Sequence, residues 1–238
     1  MSTSPATVDV RPAADRFPTN IGWLDSKHSF SFGPHYDPDN VGHGLLIVHN
    51  DDWVAPGKGF TPHAHQNMEI VTWVLEGQLE HRDSEGNHGR LYPGLAQRMS
   101  AGSGITHSEM NGSESEPVHF IQMWVLPDTD GIAPSYEERD LNDALDGGGL
   151  VAVASGRGHE GAITIHQSAA VMWAGRLGDG ETVDLPDAHR VHLFIAKGDA
   201  RFADHALTAG DAVRLTDAGE VSLESVGDSE VIVWESAQ

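Results

Sequence analysis

The chain has no cysteine among its 238 residues, which excludes disulfides, thiolate catalysis and any metal site built on sulfur. A metal here must sit on nitrogen and oxygen donors. Lysine is almost as scarce, at positions 27, 58 and 197 only, and 14 Lys and Arg against 36 Asp and Glu leave a formal charge of −22. So acidic a surface repels a phosphate backbone; direct nucleic-acid binding is not expected and the acidity reads as solubility. No apolar run approaches the ~18 residues that span a bilayer, and the opening MSTSPATVDVRPAADRF has no basic segment leading into an apolar one. A cytoplasmic protein without a membrane segment is the expectation.

Long helical periodicity is also rare. Glycine at 27 residues and proline at 12 instead favour an all-β chain rich in turns. The β patterning falls into two blocks, 1–130 and 150–238, separated by a linker at 131–149. PDTDGIAP (Pro127–Pro134) has linker composition, and SYEERDLNDALD (Ser135–Asp146) reads as a short helix with Ser135 as N-cap and Glu138 completing a capping box. Beyond the glycines at 147–149, VAVAS, AITIHQ, RVHLFIA, AVRLT and EVIVW are short β-branched runs spaced as in a sandwich or barrel. A weak repeat relates the blocks: VLEG then LYPGLAQRMSAG in the first, IAKG then LTAGDAVRLTDAG in the second. Duplicated barrels explain it with least invention.

The chemistry concentrates in TPHAHQNME (Thr61–Glu69) and GSGITHSEMN (Gly102–Asn111). On a strand, residues two apart project from one face, so His63 with His65, and His107 with Glu109, each make an inward pair. Antiparallel strands in a barrel can bring such pairs together, offering three imidazoles and one carboxylate. That set suits iron, manganese, nickel, copper or zinc and leaves coordination positions for water, dioxygen or a chelating substrate. Glu69 competes with Glu109 for the carboxylate position, since its spacing from His65 keeps it inward on an unbulged strand. In the second block His189 and His192 are offset by three, which sends them to opposite faces, so no shared ion is expected there.

These segments carry a family resemblance. GKGFTPHAH followed by Glu69 is similar to the first cupin motif, and Pro93-Gly94 with GITHSEMN to the second. More narrowly, HAH, EIVTWVLEG, HRDSEGN, MSAGSGITHSEM and QMWVLP, continuing through Ser135-Tyr136-Glu137, His166-Gln167 and Ala209-Gly210-Asp211, resemble the pirin family. The resemblance implies a bicupin: two tandem jelly-roll cupin barrels, the first holding one divalent metal, iron foremost, through His63, His65, His107 and Glu109; Glu69 ranks second as the carboxylate and is expected instead to fix a histidine tautomer. Two departures are QNME (Gln66–Glu69), where many pirins carry a basic residue and Gly-Phe, and Leu95, where relatives have an acidic residue. They bear on pocket shape, not on the ligands.

Trp73, Trp124, Phe120 and Met123 read as core residues. His119 and Gln122 have opposite parity on VHFIQMW, and Gln122 is the one expected in the pocket. His28, His35, His43 and His49 receive no role, and SEGN at Ser84 reads as a hairpin turn, not a nucleophile motif. Several pirins have quercetin 2,3-dioxygenase activity, so the resemblance implies such an oxidoreductase, with a flavonol-like substrate, O2, and Glu109 or Glu69 as base. The alternative is a metal- or redox-dependent regulator acting on a protein partner.

Overall fold

The computed structural model describes residues 7–237, so residues 1–6 of the N-terminal segment considered above lie outside the described residues. The first half contributes strands β1 (Thr7–Arg11), β2 (Phe17–Asn20), β3 (Leu24–His28), β4 (Leu46–Val54), β5 (Gly59–His65), β6 (Glu69–Glu76), β7 (Leu79–Asp83), β8 (His88–Leu91), β9 (Leu95–Ser100), β10 (Ile105–Asn111) and β11 (Val118–Val125). After β12 (Ser135–Asp140) and the single-turn helix α1 (Asn142–Leu145) come β13 (Val151–Ser155), β14 (Ile163–Thr164), β15 (Ala170–Leu177), β16 (Thr182–Asp184), β17 (Arg190–Phe202), β18 (His205–Thr208), β19 (Ala212–Thr216) and β20 (Ser222–Ser236). No helix among the described residues is long and apolar enough to cross a membrane.

In the first half a seven-stranded sheet, β12-β9-β6-β11-β4-β3-β2, faces a four-stranded sheet, β5-β10-β7-β8. Strand parity divides the labour of the larger sheet. Val71, Trp73 and Leu75 on β6, with Ile121 and Met123 on β11, pack outward against Met172, Phe194, Ile232 and Trp234 of the second half in one continuous core. Val74 and Phe120 point inward, joining Leu79 and Leu91 from the smaller sheet. The second half builds its own interior from Leu177, Val191, Leu193, Phe202, Val213, Leu223 and Val233. Its strands join β1 in one nine-stranded sheet shared between layers: β17 pairs β19 by its first half and β18 by its second, while β20 pairs β16 by its first residues and β15 by its later ones.

The repeated Glu-Gly and Lys-Gly positions do similar work in the two halves. Gly77 (φ 78°) and Gly198 (φ 72°) take left-handed conformations, and a Cβ at either would strike the backbone of Pro117 or Asp228 respectively. Gly77 makes a turn between β6 and β7, whereas Gly198 sits in a bulge through which β17 runs on.

Two expectations need correction. Ser135–Asp140 is a strand on β9, not a helix: the Arg98 guanidinium takes the residue that looked like the N-cap, donating to Ser135 Oγ at 2.7 Å, and also reaches Glu137 at 3.3 Å, while Glu138 of the expected capping box accepts from the Tyr136 hydroxyl at 2.7 Å. The helix shrinks to Asn142–Leu145, capped by Leu141 with no side-chain bond. The chain also does not divide simply at the linker, since β1 leaves the first half and pairs with β19, with Val10 opposite Val213.

Candidate metal centre

The centre lies on the inner face of the four-stranded sheet. β5 is its edge strand and pairs with β10 in a register that sets His63 opposite His107 and His65 opposite Ile105. Rings 4.4 Å apart by centroid for His63 and His107, and 4.9 Å for His65 and His107, show the convergence. A bulge between His107 and Glu109 shifts the pairing so that Glu109 falls opposite Phe60. On the other flank of β10, Glu109 is opposite His81 of β7. The ligand atoms of His63, His65 and His107 all lie within 4.8 Å of one another, and so do those of His81, His107 and Glu109. His107 belongs to both groups.

The residues fit a metal. Nε2 of His65 and Nε2 of His107 are buried and have no hydrogen-bond partner, an arrangement that is costly unless an ion or water occupies the space between them. Burial first, and then the neighbouring rings His107 and His63, push His65 down to about 4. Burial, then His63 and His81, push His107 down to about 3. Both rings are therefore neutral at ordinary pH, with a lone pair free to bind a cation. His63 donates Nδ1–H to the Thr61 carbonyl at 2.8 Å, which frees its Nε2 as an acceptor.

His107 is oriented by a relay that the sequence reading did not include. His81 Nε2–H donates to Asp83 Oδ2 at 3.2 Å, so its Nδ1 is left to accept from His107 Nδ1–H at 3.4 Å, and His107 Nε2 keeps a free lone pair toward the other two rings. Burial raises the Asp83 carboxyl, but hydrogen bonds from Asn87 and His81 outweigh it and hold the group below its ordinary value. The signal for His81 was present: Leu79, His81 and Asp83 share parity on LEHRD, which places a histidine on the same inward face as a core leucine.

Of the two candidate carboxylates, only Glu109 is in the centre. Gln122 Nε2 donates to both its oxygens, at 2.9 and 2.7 Å, and Gln122 Oε1 accepts from Trp124 Nε1 at 3.2 Å. Gln122 thus takes the pocket position expected of it, while His119 turns away to Asp51 at 2.6 Å. Glu69 is fully buried on the opposite face of β6, with Oε2 accepting from Ser100 Oγ at 2.9 Å and from the His166 amide at 3.0 Å. The inward parity inferred from His65 is lost because β5 ends at His65 and the chain turns through Asn67 (φ 50°) before β6 begins. Glu69 supports His166, not a ring of the centre.

A cavity of about 300 Å³ opens over His63, His65, Glu109 and Gln122, walled by Leu24, Phe32, Pro34, Phe60 and Trp124. Trp124 is half-buried, packs against the small core of Ile70, Met99, Ala101 and Ile105, and also stands edge-on to His65 at 4.9 Å, so it serves the core and the pocket together. Trp73, Phe120 and Met123 are fully buried, as expected. In the second half His192 is buried, whereas His189 is exposed and paired with Asp217 at 2.6 Å. No group of three potential ligands occurs there among the described residues.

Comparison with known proteins agrees with this architecture. The family described as Pirin matches residues 10–125, and the Quercetinase C-terminal cupin domain matches 152–235. Quercetin 2,3-dioxygenase of Escherichia coli K12 is 39% identical over 95% of this chain and 97% of its own. A Mycobacterium tuberculosis protein whose name proposes the same activity is 56% identical over 97% of this chain and 95% of its own. Among solved structures, the Escherichia coli bacterial pirin YhhW in complex with nickel(II) superposes with a TM-score of 0.89 at 37% identity, covering 96% of this chain and 98% of that one.

Proposed function

Since this chain belongs to the pirin family, we propose that it is a cytoplasmic, metal-dependent dioxygenase acting with O2 on a flavonol-like aromatic; the Escherichia coli relative is named quercetin 2,3-dioxygenase. The observation that carries the reading is the pair of buried, unpartnered Nε2 atoms of His65 and His107 facing His63 beneath an aromatic-walled cavity of about 300 Å³. His63, His65 and His107 would hold the metal, with Glu109 as the fourth ligand. Iron is our expectation for the metal, and nickel, manganese, copper and zinc suit the same donors. A divalent ion held there supplies Lewis acidity that lowers the proton affinity of a chelating hydroxyl.

The chain's own residues do the rest. Phe32, Pro34, Phe60 and Trp124 shape a slot for a flat ring and keep water out. Glu109 is the carboxylate set beside the histidines that would take the hydroxyl proton, and the two bonds from Gln122 fix its plane. Its place in the pocket favours it over Glu69 as the base.

Oxygen uptake with quercetin tests the reading on the protein as purified, after chelation, and after reloading Fe(II), Mn(II), Ni(II), Cu(II) or Zn(II) singly. Turnover lost on chelation and restored by one of these metals is expected. No uptake with any of them would refute the dioxygenase.

A further inference from the structure

The inner face of a β-sheet that closes a barrel is ordinarily apolar, yet one row across the larger sheet here is polar throughout. Gln97 on β9, Thr72 on β6, Gln122 on β11, Asn50 on β4 and His28 on β3 are successive cross-strand partners and therefore share that face. Their exposures run from 1% to 7%. One step along β4, Asp52 is 3% exposed and opposite Ser26. The metal centre described above uses only Gln122 of this set. Asn50, Asp52, Ser26 and His28 nevertheless line the same cavity as the metal-binding histidines, from the facing sheet.

The hydrogen bonding around Asn50 is directional. His35 Nε2–H donates to Thr19 Oγ1 at 3.1 Å, the Thr19 hydroxyl donates to His28 Nε2 at 2.9 Å, and His28 Nδ1–H donates to Asn50 Oδ1 at 2.8 Å. This chain of bonds occupies the Asn50 carbonyl and fixes the amide so that its Nδ2 hydrogens remain, with no partner among the described residues. Asp52 Oδ1 is likewise buried without a partner. Burial, reinforced by Asp51 and Glu109, raises the Asp52 carboxyl to about 7 against the opposing bond from Ser26. A fold does not need a carboxyl and an amide held inside a barrel with open valences, so a ligand is the natural partner.

We propose that Asn50 and Asp52 are the specificity-determining pair of this pocket, Asn50 Nδ2 donating to a ligand oxygen and Asp52 Oδ1 accepting from a ligand hydroxyl, both distinct from the oxygens on the metal. This rests on the dioxygenase reading and narrows it. The substrate class is a flat aromatic with a chelating oxygen pair and further hydroxyls on its ring system. A flavone that carries only the chelating pair would leave both groups unpaired on binding, and a site built to hydrogen-bond a hydroxyl rejects the analogue lacking it.

The test compares quercetin with 3-hydroxyflavone, which keeps the chelating pair and lacks the remaining hydroxyls, on the full-length metal-loaded protein. Anaerobic binding, followed by the flavonol absorbance shift, and oxygen uptake are both read. The wild type is expected to prefer quercetin by roughly 10-fold or more in affinity and in kcat/KM. Asp52→Ala and Asn50→Ala should bring that ratio toward unity by weakening quercetin alone, at unchanged metal content. Asp52→Asn and Asn50→Ser, closer in shape, cover the case in which the alanine variants do not fold. Equal handling of the two compounds by the wild type, or an equal loss on both in the variants, overturns the assignment. A binding preference without oxygen uptake would refute the dioxygenase and leave the specificity pair standing, whereas binding of neither compound would overturn both.

Discussion

At the scale of single residues, the state of each ring nitrogen decides whether three histidines make a metal site or a cluster of repelling cations. Thr61 holds the proton of His63 on Nδ1, and the Asp83–His81 relay does the same for His107. His81→Phe removes the acceptor that fixes His107, so apparent metal affinity should fall about 10–100-fold in competition with a chelator, with the fold retained. An unchanged affinity would show that the relay is dispensable. Gln122→Leu tests the carboxylate side: it strips both hydrogen bonds from a buried Glu109. A metal-affinity loss of similar order, about 10-fold or more, is expected by the same competition assay.

At the scale of elements, the site depends on an edge strand held tightly to its neighbour. β5 carries His63 and His65 but, among the described residues, pairs with β10 alone, so no second strand holds it. Gly59 makes that pairing possible, since a Cβ there would strike the Glu109 carbonyl and lie 2.6 Å from the Met110 backbone. Gly59→Ala should therefore cost upwards of about 2 kcal/mol in denaturant unfolding and release the metal, because the strand must move away from β10. Full stability and stoichiometric metal in that variant would contradict this account. The same scale explains the misread helix, since Ser135 and Glu137 are satisfied by Arg98 across a strand pair, a contact 37 and 39 residues away that no local pattern announces.

At the scale of the whole molecule, the two halves meet through an apolar core and a small set of buried polar groups. Trp73 donates Nε1–H to Glu230 across this seam at 2.8 Å, and His49 packs against His192 with ring centroids 5.0 Å apart. Burial, then Arg16, hold His49 down to about 3, from an ordinary value of 6.5, against the opposing pull of Asp51. The unfolded chain therefore binds this proton first as pH falls. Stability from a neutral His49 is fully present above about pH 6.5 and is lost as pH drops toward 3. Each unit of pH within that window costs about 1.4 kcal/mol for this group. His49→Phe should accordingly flatten the dependence of unfolding free energy on pH between about 6.5 and about 5 by about one proton, measured by urea titration. An unaltered slope would mean that His49 is not the group being protonated.

Composition and local order were enough to settle several things. Without cysteine the donors had to be nitrogen and oxygen, and a His-x-His on a strand has one face whatever the rest of the chain does. The β character of both blocks, the pocket side of Gln122 and the opposite faces of His189 and His192 followed from parity in the same way. Parity carries only as far as a strand is unbroken, however. The turn at Asn67 reverses Glu69, and the bulge before Glu109 resets its partner. The pairing of His107 with His63, the recruitment of His81 and the polar row through Asn50 arise where strands distant in sequence register against one another. Those choices belong to the tertiary structure, because register is fixed by the packing of both sheets at once and not by any one strand's own residues.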